Sequence, residues 1–265
     1  MKSKRRRSEI SGILRNSPAS VDELARMYAV STSTIRRDLA TLSDLGEVVR
    51  TYGGALAAAP GEQSLHHREH VALEQKLSIA LTAAKRIRDG QFLLFDAGTT
   101  VGSLAKVIAK GHRVTVATNG LTTMATLADS PEIELILLGG ALRHVSQGTI
   151  GPMAESALST LTADVAFLGA DGVSADRGVC EGTSEQTSLK RLMVARSAEV
   201  VVLAHSEKLG DTQSHWWTSF PSTWTLVTDD NATEEQLAPF KRHNEITVVV
   251  AQTRNRLPKR MAGGA

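Results

Sequence analysis

The residues best suited to chemistry follow the apolar runs in the second half of the sequence, where glycines stand beside hydroxyl and charged side chains. Glycines let backbone amides approach an anion, hydroxyls add donors, and a helix that starts there offers its positive end. Together these properties suit a phosphorylated sugar. The candidate residues for such a site are Asp96, Gly98, Thr99, Thr100, Thr118, Asn119, Gly139, Gly140, Arg143, Gly169, Asp171, Gly172, Glu185, His205 and Lys208.

The charged members of this set predict distinct roles. Lys208, with Arg143 as a further candidate, would balance the charge of a phosphate. The carboxylates suited to sugar hydroxyls are Asp96, Asp171 and Glu185. The same carboxylates could act as bases in a sugar-phosphate isomerase, with His205 titrating near neutral pH, so an enzyme remains the alternative to a binding protein.

A second group of candidates lies near the N-terminus and suits DNA. Hydroxyl residues open a predicted helix there, and Arg36 and Arg37 follow them. Short hydroxyl side chains let a helix approach the major groove, while arginine binds guanine or phosphate. Adjacent helix residues point about 100° apart, so only one of the two arginines can face the base edges squarely. The candidate DNA-binding residues are Ser31, Thr32, Ser33, Thr34, Arg36, Arg37, Arg50 and Tyr52.

Three helices and a β-wing are predicted to position the DNA-binding candidates. Apolar residues recur at helical spacing, and Ser20 with Glu23 has the pattern of a capping box. The short turn between the second and third helices is the helix-turn-helix arrangement. The expected elements are a helix over 4–15, a second from Ser20 to 27–29, a third from Ser31 to Gly46, and a wing over 48–52 that turns at Gly53-Gly54.

The candidate residues for the phosphorylated-sugar site, here called effector candidates, are predicted to lie on a mostly parallel α/β sheet. Near-continuous apolar strands separated by helices are typical of a parallel sheet covered on both faces, and ligands of such folds bind at the carboxyl ends of the strands. The expected strands are 91–95, 113–118, 133–138, 164–168, 199–204, 224–228 and 246–250. The expected helices are 74–88, 100–109, 120–129, 152–161, 185–197 and 233–242.

Length and charge agree with two joined domains. The 265 residues have room for one large domain and a small one, and the low aromatic content of 4% favours a core of Ala, Val, Leu and Ile. Residues 1–57 hold ten Lys and Arg against six Asp and Glu, whereas the remainder holds 20 against 22. A basic head on a mildly acidic body suits a polyanion-binding module attached to a sensor.

Several classes of protein are disfavoured by what the sequence lacks. Cys180 is the only cysteine, so an internal disulfide and a Cys-rich zinc site are excluded, and we expect neither metal nor cofactor. The basic start is not followed by the apolar segment of a signal peptide, and no apolar run reaches the roughly 20 residues of a membrane helix. We therefore expect a cytoplasmic protein without a membrane partner.

Residues 58–72 read as a linker because helical periodicity is lost near Pro60 and Gly61. Histidines at 66, 67 and 70 raise the possibility of a metal site, but they lack the i, i+4 spacing of a helical site and an evident acidic partner. A solvated hinge is the preferred interpretation. The predicted domains are then 1–57, the linker 58–72, a sensor over 73–252 and a tail over 253–265.

The run from Val30 to Leu39, with Leu42, Gly46, Arg50 and Gly53-Gly54-Ala55 behind it, resembles the DNA-binding head of the DeoR family of bacterial regulators. The resemblance extends over nearly the whole chain. The matching positions of the sensor are Asp96 to Thr100, Thr118-Asn119, Gly139-Gly140, Gly151-Pro152, Glu185 and Lys208. It implies a winged helix-turn-helix that binds operator DNA, and a sensor similar to the ribose-5-phosphate isomerase fold.

The same resemblance implies a repressor of sugar metabolism, released from double-stranded operator DNA by a phosphorylated sugar and acting as a homodimer or homotetramer. One departure concerns the effector. The family usually has Asp where this chain has His205, which changes the charge beside Lys208 and could suit a more acidic ligand. Trp216 and Trp217 follow soon after and could line the pocket, an interface or the core.

Overall fold

The computed structural model describes residues 3–44, 47–51, 53–57, 65–210 and 214–253. Its N-terminal part is a winged helix-turn-helix. Residues such as Ile10, Leu24, Leu39 and Val48 are buried in its small apolar core. The elements are α1 (Ser3–Asn16), β1 (Ala19–Ser20), α2 (Val21–Tyr28), α3 (Thr32–Asp44), β2 (Val48–Thr51) and β3 (Gly54–Ala57).

Local contacts explain where α2 begins and ends. The Ser20 hydroxyl accepts from the backbone N–H of Glu23 at 3.1 Å, and the Ser20 N–H donates to the Glu23 carboxylate at 2.7 Å, which completes the predicted capping box. Ala29 ends the helix in the left-handed conformation, at φ 50°. The chain can therefore turn within a few residues and begin α3.

The wing is a three-stranded antiparallel sheet in which β3 lies between β1 and β2. Gly54 makes the close approach of β3 to β1 possible, because a Cβ at this position would lie 2.4 Å from the Ala19 carbonyl oxygen. A buried ion pair ties the first helix to the third, with the Arg6 Nε atom 2.5 Å from Asp38 Oδ2. Arg6 therefore stabilises the packing of α1 against α3 inside the DNA-binding head.

The remainder of the described chain forms an α/β domain. It contains the predicted strands and helices, with bounds that differ by a few residues. The elements are α4 (Leu65–His70), α5 (Leu73–Ala84), β4 (Phe92–Phe95), α6 (Thr99–Ile108), β5 (Val114–Thr118), α7 (Leu121–Leu127), β6 (Ile133–Leu137), β7 (Ala141–Arg143), β8 (Gly148–Ile150), α8 (Pro152–Ser159), β9 (Ala163–Leu168), β10 (Gly172–Ser174), β11 (Gly178–Glu181), α9 (Ser184–Ala195), β12 (Ser197–Leu203), a short 3-10 helix (Ser206–Lys208), β13 (Trp216–Thr218), β14 (Trp224–Asp229), α10 (Glu234–Lys241) and β15 (Ile246–Ala251).

Seven parallel strands form the central sheet, in the order β15-β14-β12-β9-β4-β5-β6. From β4 the chain moves outward through β5 and β6, then returns to the other side of β4 and continues through β9. The junction between β4 and β9 is therefore the point where the strand order reverses. Open α/β sheets bind ligands at such a point, outside the carboxyl ends of the strands.

Apolar side chains cover both faces of this sheet, as the continuous apolar runs predict. Alternate residues of β4 show the division, since Leu94 packs into one core and Leu93 and Phe95 pack into the other. Phe95 also contacts Phe167 of β9 edge to face, with ring centroids 5.4 Å apart. The two central strands are thus fixed to each other just before the loops that carry Asp96 and Gly169.

Two small antiparallel sheets accompany the central sheet and were not predicted. β7 pairs with β8, and β11 lies between β10 and β13. Gly148 of β8 lies close to the loop after β4, since a Cβ there would be 2.6 Å from the Ala97 Cβ atom. The first hairpin therefore packs against the carboxyl edge of the sheet.

The prediction of an aperiodic, solvated hinge was wrong for residues 65–70, which form the helix α4. Leu65 is buried and its N–H donates to the Val145 carbonyl at 2.9 Å, while Arg68 pairs with Asp171. The helix is fixed by tertiary contacts rather than by a repeating apolar face. Residues 58–64, Gly46 and residues 254–265 of the predicted tail lie outside the described residues. Within the described ranges, no helix combines the length and apolarity that crossing a membrane requires.

Candidate DNA interface and effector site

The predicted recognition helix α3 has one buried and one exposed face. Ile35, Asp38 and Leu39 face the interior, whereas Arg36 and Arg37 are exposed. The Ser31 hydroxyl accepts from the Thr34 N–H at 3.2 Å and so caps the helix, as predicted. The exposed arginines and the positive end of α3 therefore belong to the same surface.

The hydroxyl residues at the start of α3 contact each other. Ser31 Oγ lies 2.8 Å from Ser33 Oγ and 2.9 Å from Thr34 Oγ1, while Thr32 is half-buried. Arg50 lies in β2, and Tyr52 lies outside the described residues. The contact of these residues with DNA stays a prediction.

A buried charge cluster occupies the junction of β4 and β9. Lys190 Nζ lies 2.9 Å from Asp96 Oδ2, contacts Glu181 and donates to the Gly169 carbonyl at 2.5 Å. The Asp96 carboxylate also accepts from the backbone N–H groups of Ala97, at 2.8 Å, and Gly169, at 3.1 Å. Asp96 was predicted to bind sugar hydroxyls, but both of its oxygens are engaged within the protein.

Two carboxylates share one lysine in this cluster, and the pKa values of Glu181 and Lys190 are shifted as a result. Burial raises the pKa of Glu181 to about 7, opposed by Lys190 and assisted by Asp171 and Asp96. Burial disfavours the charged lysine, but Asp96 and Glu181 outweigh that effect and raise the pKa of Lys190. Sequence reasoning missed Glu181 and Lys190, because nothing local distinguishes them from surface residues of β11 and α9.

A second group of cations gathers beside this cluster. Lys208 Nζ donates to the Ala170 carbonyl, and Lys76 Nζ donates to the carbonyl of Arg68. The Arg68 Nη1 atom lies 3.3 Å from Asp171 Oδ1. Lys76 and Arg68 were not predicted for the site, since one lies in a helix and the other in the supposed hinge.

Burial and mutual repulsion lower the pKa values of the two lysines in this group. Burial, assisted by Lys208 and Arg68, lowers the pKa of Lys76 to about 8. The pKa of Lys208 is also lowered, with burial as the largest cause. Three positive side chains thus lie close together beside Asp171, while Glu69 and Glu181 partly offset the charges of Lys76 and Lys208.

His205 is a buried neutral imidazole. Burial is the main cause that lowers its pKa to about 3, and the nearby Lys208 and Lys76 add to it. Its Nδ1 atom is buried and has no hydrogen-bond partner among the described residues, while Nε2 lies 3.5 Å from the Glu207 carboxylate. The expectation that His205 titrates near neutral pH was therefore wrong.

The first turn of α6 borders the same edge of the sheet. Gly98 precedes the helix, and a Cβ added there would meet no atom within 4 Å, so the approach to the helix start is open. Thr99 is half-buried and Thr100 is buried. Free amides at a helix start bind anions, and this end can therefore contribute to an anion site.

The loop after β5 is held by its own hydrogen bonds. Thr118 Oγ1 accepts from the Gly120 N–H at 3.0 Å, and Asn119 Nδ2 donates to the Thr149 carbonyl at 3.1 Å. Asn119 Oδ1 is buried and accepts no hydrogen bond from the described residues. Thr118 therefore fixes the conformation of the loop. The side-chain oxygen of Asn119, Oδ1, is the atom of this pair that is suited to a ligand.

The remaining candidates for the effector site include one exposed carboxylate and three glycines, which lie in α9, in β10 and in the loop after β6. Glu185 is exposed on α9, and its pKa is lowered by its own backbone N–H, by Ser184 and, more weakly, by Arg143. Gly140 has a structural reason to be glycine, since its φ is 141° and a Cβ would lie 2.6 Å from the Ile150 carbonyl oxygen. Gly139 is exposed, and Gly172 is buried in β10.

The two tryptophans lie in β13, where they pair with β11. The Trp217 ring is covered by the guanidinium of Arg177, 4.8 Å from the ring centroid, and its Nε1 donates to the Ser214 carbonyl at 2.9 Å. Trp216 is 48% exposed. Trp216 lies at the edge of the small sheet, so of the roles left open by the sequence the core is excluded for this residue, and the pocket and an interface stay open.

Two family models match the chain, one in each of its parts. The model of the DeoR-like helix-turn-helix domain matches residues 6–60, and that of the DeoR C-terminal sensor domain matches residues 71–230. Part of the chain is similar to solved structures of ribose 5-phosphate isomerase. The Methanocaldococcus jannaschii enzyme is 19% identical, with a TM-score of 0.38 over 50% of this chain and 52% of that one.

Relatives of similar length are transcription regulators. The HTH-type regulator GolR of Listeria innocua is 31% identical, covering 85% of this chain and 90% of its own. The regulator GlpR of Haloferax volcanii is 32% identical over 79% of this chain and 83% of its own. The glycerol-3-phosphate regulon repressor of Escherichia coli is 31% identical over 72% of this chain and 76% of its own.

These relatives are named regulators and repressors, which decides against the isomerase alternative. The internal engagement of Asp96 agrees with that outcome, since both oxygens of this carboxylate are bonded within the protein. A regulatory chain with a DNA-binding head and a sensor is what both matched domains describe. This chain belongs to the DeoR family of transcriptional regulators.

Proposed function

We propose that the chain represses genes of carbohydrate metabolism and leaves its operator when a phosphorylated sugar binds the sensor. The observation that carries the proposal is the gathering of three cationic side chains near the carboxyl ends of β9 and β12. Lys76, Lys208 and Arg68 lie together there beside Asp171, with Glu69 acting on Lys76 and Glu181 on Lys208. A phosphate would offset this charge and restore the pKa values that burial and repulsion lower.

The neighbouring groups fit the rest of such a ligand. The amides at the start of α6 can bind further phosphate oxygens, and the unpartnered Asn119 Oδ1 can accept from a sugar hydroxyl. His205 can offer its buried Nδ1 as either donor or acceptor, depending on its tautomer. The relative named as the glycerol-3-phosphate regulon repressor supports a small phosphorylated ligand of this kind.

On the DNA side, we propose that α3 enters the major groove, with Arg36 and Arg37 divided between a base edge and a phosphate. We also propose that two or four subunits associate in the cytoplasm, so that paired heads bind repeated half-sites. The four-part division predicted from the sequence remains our proposal, with α4 as the part of the linker that contacts the sensor.

The direct test is fluorescence anisotropy of the full chain on DNA from upstream of its own gene. It is run at fixed salt because phosphate contacts make affinity strongly salt-dependent. A panel of triose, pentose and hexose phosphates is then titrated into the complex. Specific binding that one compound reverses would support the proposal, whereas sequence-independent binding, or a complex that no sugar phosphate affects, would contradict it.

Paired variants separate the two sites. The double change Arg36→Ala and Arg37→Ala is expected to abolish specific DNA binding and to leave effector binding intact. Lys208→Met is expected to leave DNA binding in place and to remove the response to effector. Arg242→Ala, an exposed arginine on the sensor, serves as the matched control for loss of charge. If the double arginine variant and Lys208→Met changed DNA binding and the effector response in the same way, the proposal of separate sites for DNA and effector would be wrong.

A further inference from the structure

The helix α4 joins the DNA-binding head to the sensor and touches the effector site directly. It lies in the segment that the sequence predicts as a linker, yet Arg68 on this helix reaches Asp171 after β9 at 3.3 Å. Lys76 of α5 holds the helix from the other side by donating to the Arg68 carbonyl. The position of α4 is therefore fixed by groups that belong to the sensor site.

The Arg68 guanidinium is incompletely satisfied in this arrangement. Its contact with Asp171 uses Nη1, and its contact with the Val145 carbonyl through Nη2 is long, at 3.5 Å. Its Nε atom is buried and has no hydrogen-bond partner among the described residues. A guanidinium is suited to bidentate binding of a phosphate, which Asp171 does not provide here.

The positive charges around Arg68 favour the binding of an anion in addition to the Asp171 carboxylate. Lys76 and Lys208 both lie within electrostatic reach of Arg68, and each has a lowered pKa in part because of it. An anion between the two lysines would attract the guanidinium as well, and it would compete with Asp171 for the same donors. The Arg68–Asp171 contact is itself a charge-assisted hydrogen bond, so the advantage of a phosphate lies in the bidentate binding that Asp171 does not provide.

We propose that Arg68 is an effector-binding residue supplied by the interdomain segment, and that its exchange between Asp171 and the bound phosphate moves α4. The proposal rests on the phosphate site proposed above and adds the route by which occupancy reaches the head. The guanidinium bonds Asp171 in the free protein and the phosphate in the complex. Because Arg68 is part of α4, the helix follows the guanidinium and changes how the head is held.

Inorganic phosphate is the probe for this proposal, because it lacks the sugar hydroxyls that Asp171 could otherwise bind. Its binding to the full chain is measured by calorimetry at constant ionic strength. Arg68→Ala is expected to weaken phosphate binding by about tenfold to a hundredfold, the effect of losing a hydrogen bond to a charged group. Arg242→Ala is expected to bind phosphate as the wild type does.

Asp171→Asn supplies a test of opposite sign. It removes the competing carboxylate and leaves the guanidinium in place, so phosphate binding is expected to become severalfold tighter. If the Arg68–Asp171 pair only fixed α4 in place, both changes would loosen the helix and weaken binding together. Equal effects of the two variants would therefore overturn the proposal, and opposite effects would support it.

A measurement on the wild type keeps the proposal testable if Arg68→Ala fails to fold. Amide hydrogen exchange of residues 65–70 is followed with and without phosphate, with potassium chloride at matched ionic strength as control. Phosphate is expected to change exchange in α4 severalfold in the wild type, and less in Arg68→Lys. Unchanged exchange in α4 while calorimetry shows binding would refute the inference. Loss of specific DNA binding alone would refute only the repressor function.

Discussion

The buried cluster of Lys190, Asp96 and Glu181 predicts an unusual dependence of stability on pH. The perturbation is Glu181→Gln, which removes the titrating carboxyl and retains a side chain of the same shape. The amide oxygen can still accept from Lys190, while the amide NH2 replaces the oxygen that accepts from Gln186 Nε2 at 3.1 Å, so Gln186 has to turn its own amide to accept instead. The substitution therefore changes the charge of the cluster while its packing is retained.

The size and sign of the effect follow from the raised pKa. Glu181 has a pKa of about 7 in the folded chain, against an ordinary value of 4.5. Between these pH values the folded chain retains a proton that the unfolded chain releases, so the free energy of unfolding falls as pH rises. At about 1.4 kcal/mol per pKa unit, the loss between pH 5 and pH 8 is roughly 2–3 kcal/mol. Gln cannot titrate, so the variant lacks this loss.

Urea denaturation followed by tryptophan fluorescence measures the effect. The three tryptophans, at positions 216, 217 and 224, all lie in the sensor, so the signal reports sensor unfolding alone. Relative to the wild type, Glu181→Gln is expected to gain roughly 2–3 kcal/mol between pH 5 and pH 8. Glu245→Gln, at an exposed site, is the control. A difference between variant and wild type that stays constant with pH would refute the reasoning.

Three further substitutions test the head, each followed by circular dichroism during heating. Asp38→Ala leaves Arg6 buried without its partner, and is expected to destabilise the head by about 3–5 kcal/mol while the tryptophan signal of the sensor stays unchanged. Gly54→Ala places a Cβ 2.4 Å from the Ala19 carbonyl oxygen and is expected to destabilise the wing by about 1–3 kcal/mol. Gly12→Ala, in α1 with no atom within 4 Å of its added Cβ, is expected to stabilise the head by up to about 1 kcal/mol. Equal effects of the two glycine changes would contradict the steric argument.

Local signals made much of the fold predictable. The capping box at Ser20 and Glu23 acts within four residues, so it can be recognised without tertiary structure. The strands β4, β9 and β12 are buried on both faces, and their apolar runs exceed what a surface element would carry. The glycines and carboxylates after these strands could be placed at one edge because parallel strands end together.

Side-chain partnerships across the fold could not be predicted in the same way. Lys190 reaches Asp96 from a helix that lies far away in sequence, and only the packing of α9 against the sheet brings them together. The role of Arg68 was hidden because the short helix α4 has no apolar period of its own. Asp96 was assigned to a ligand because an aspartate at a strand end cannot be told from an internal ion-pair partner by its neighbours.

The proposed effector site has two structural parts. The loops after β4 and β9 form its floor, and the two small sheets at the carboxyl edge form its walls. The floor consists of the loops after β4 and β9, fixed by the Phe95–Phe167 contact and the buried lysine. The β7–β8 hairpin and the β10-β11-β13 sheet satisfy much of their backbone hydrogen bonding among themselves. Their exposed residues can change without disturbing the central strands. If the effector binds at the proposed site, the exposed residues of the small sheets can change its ligand preference while the residues proposed to bind the anion stay the same.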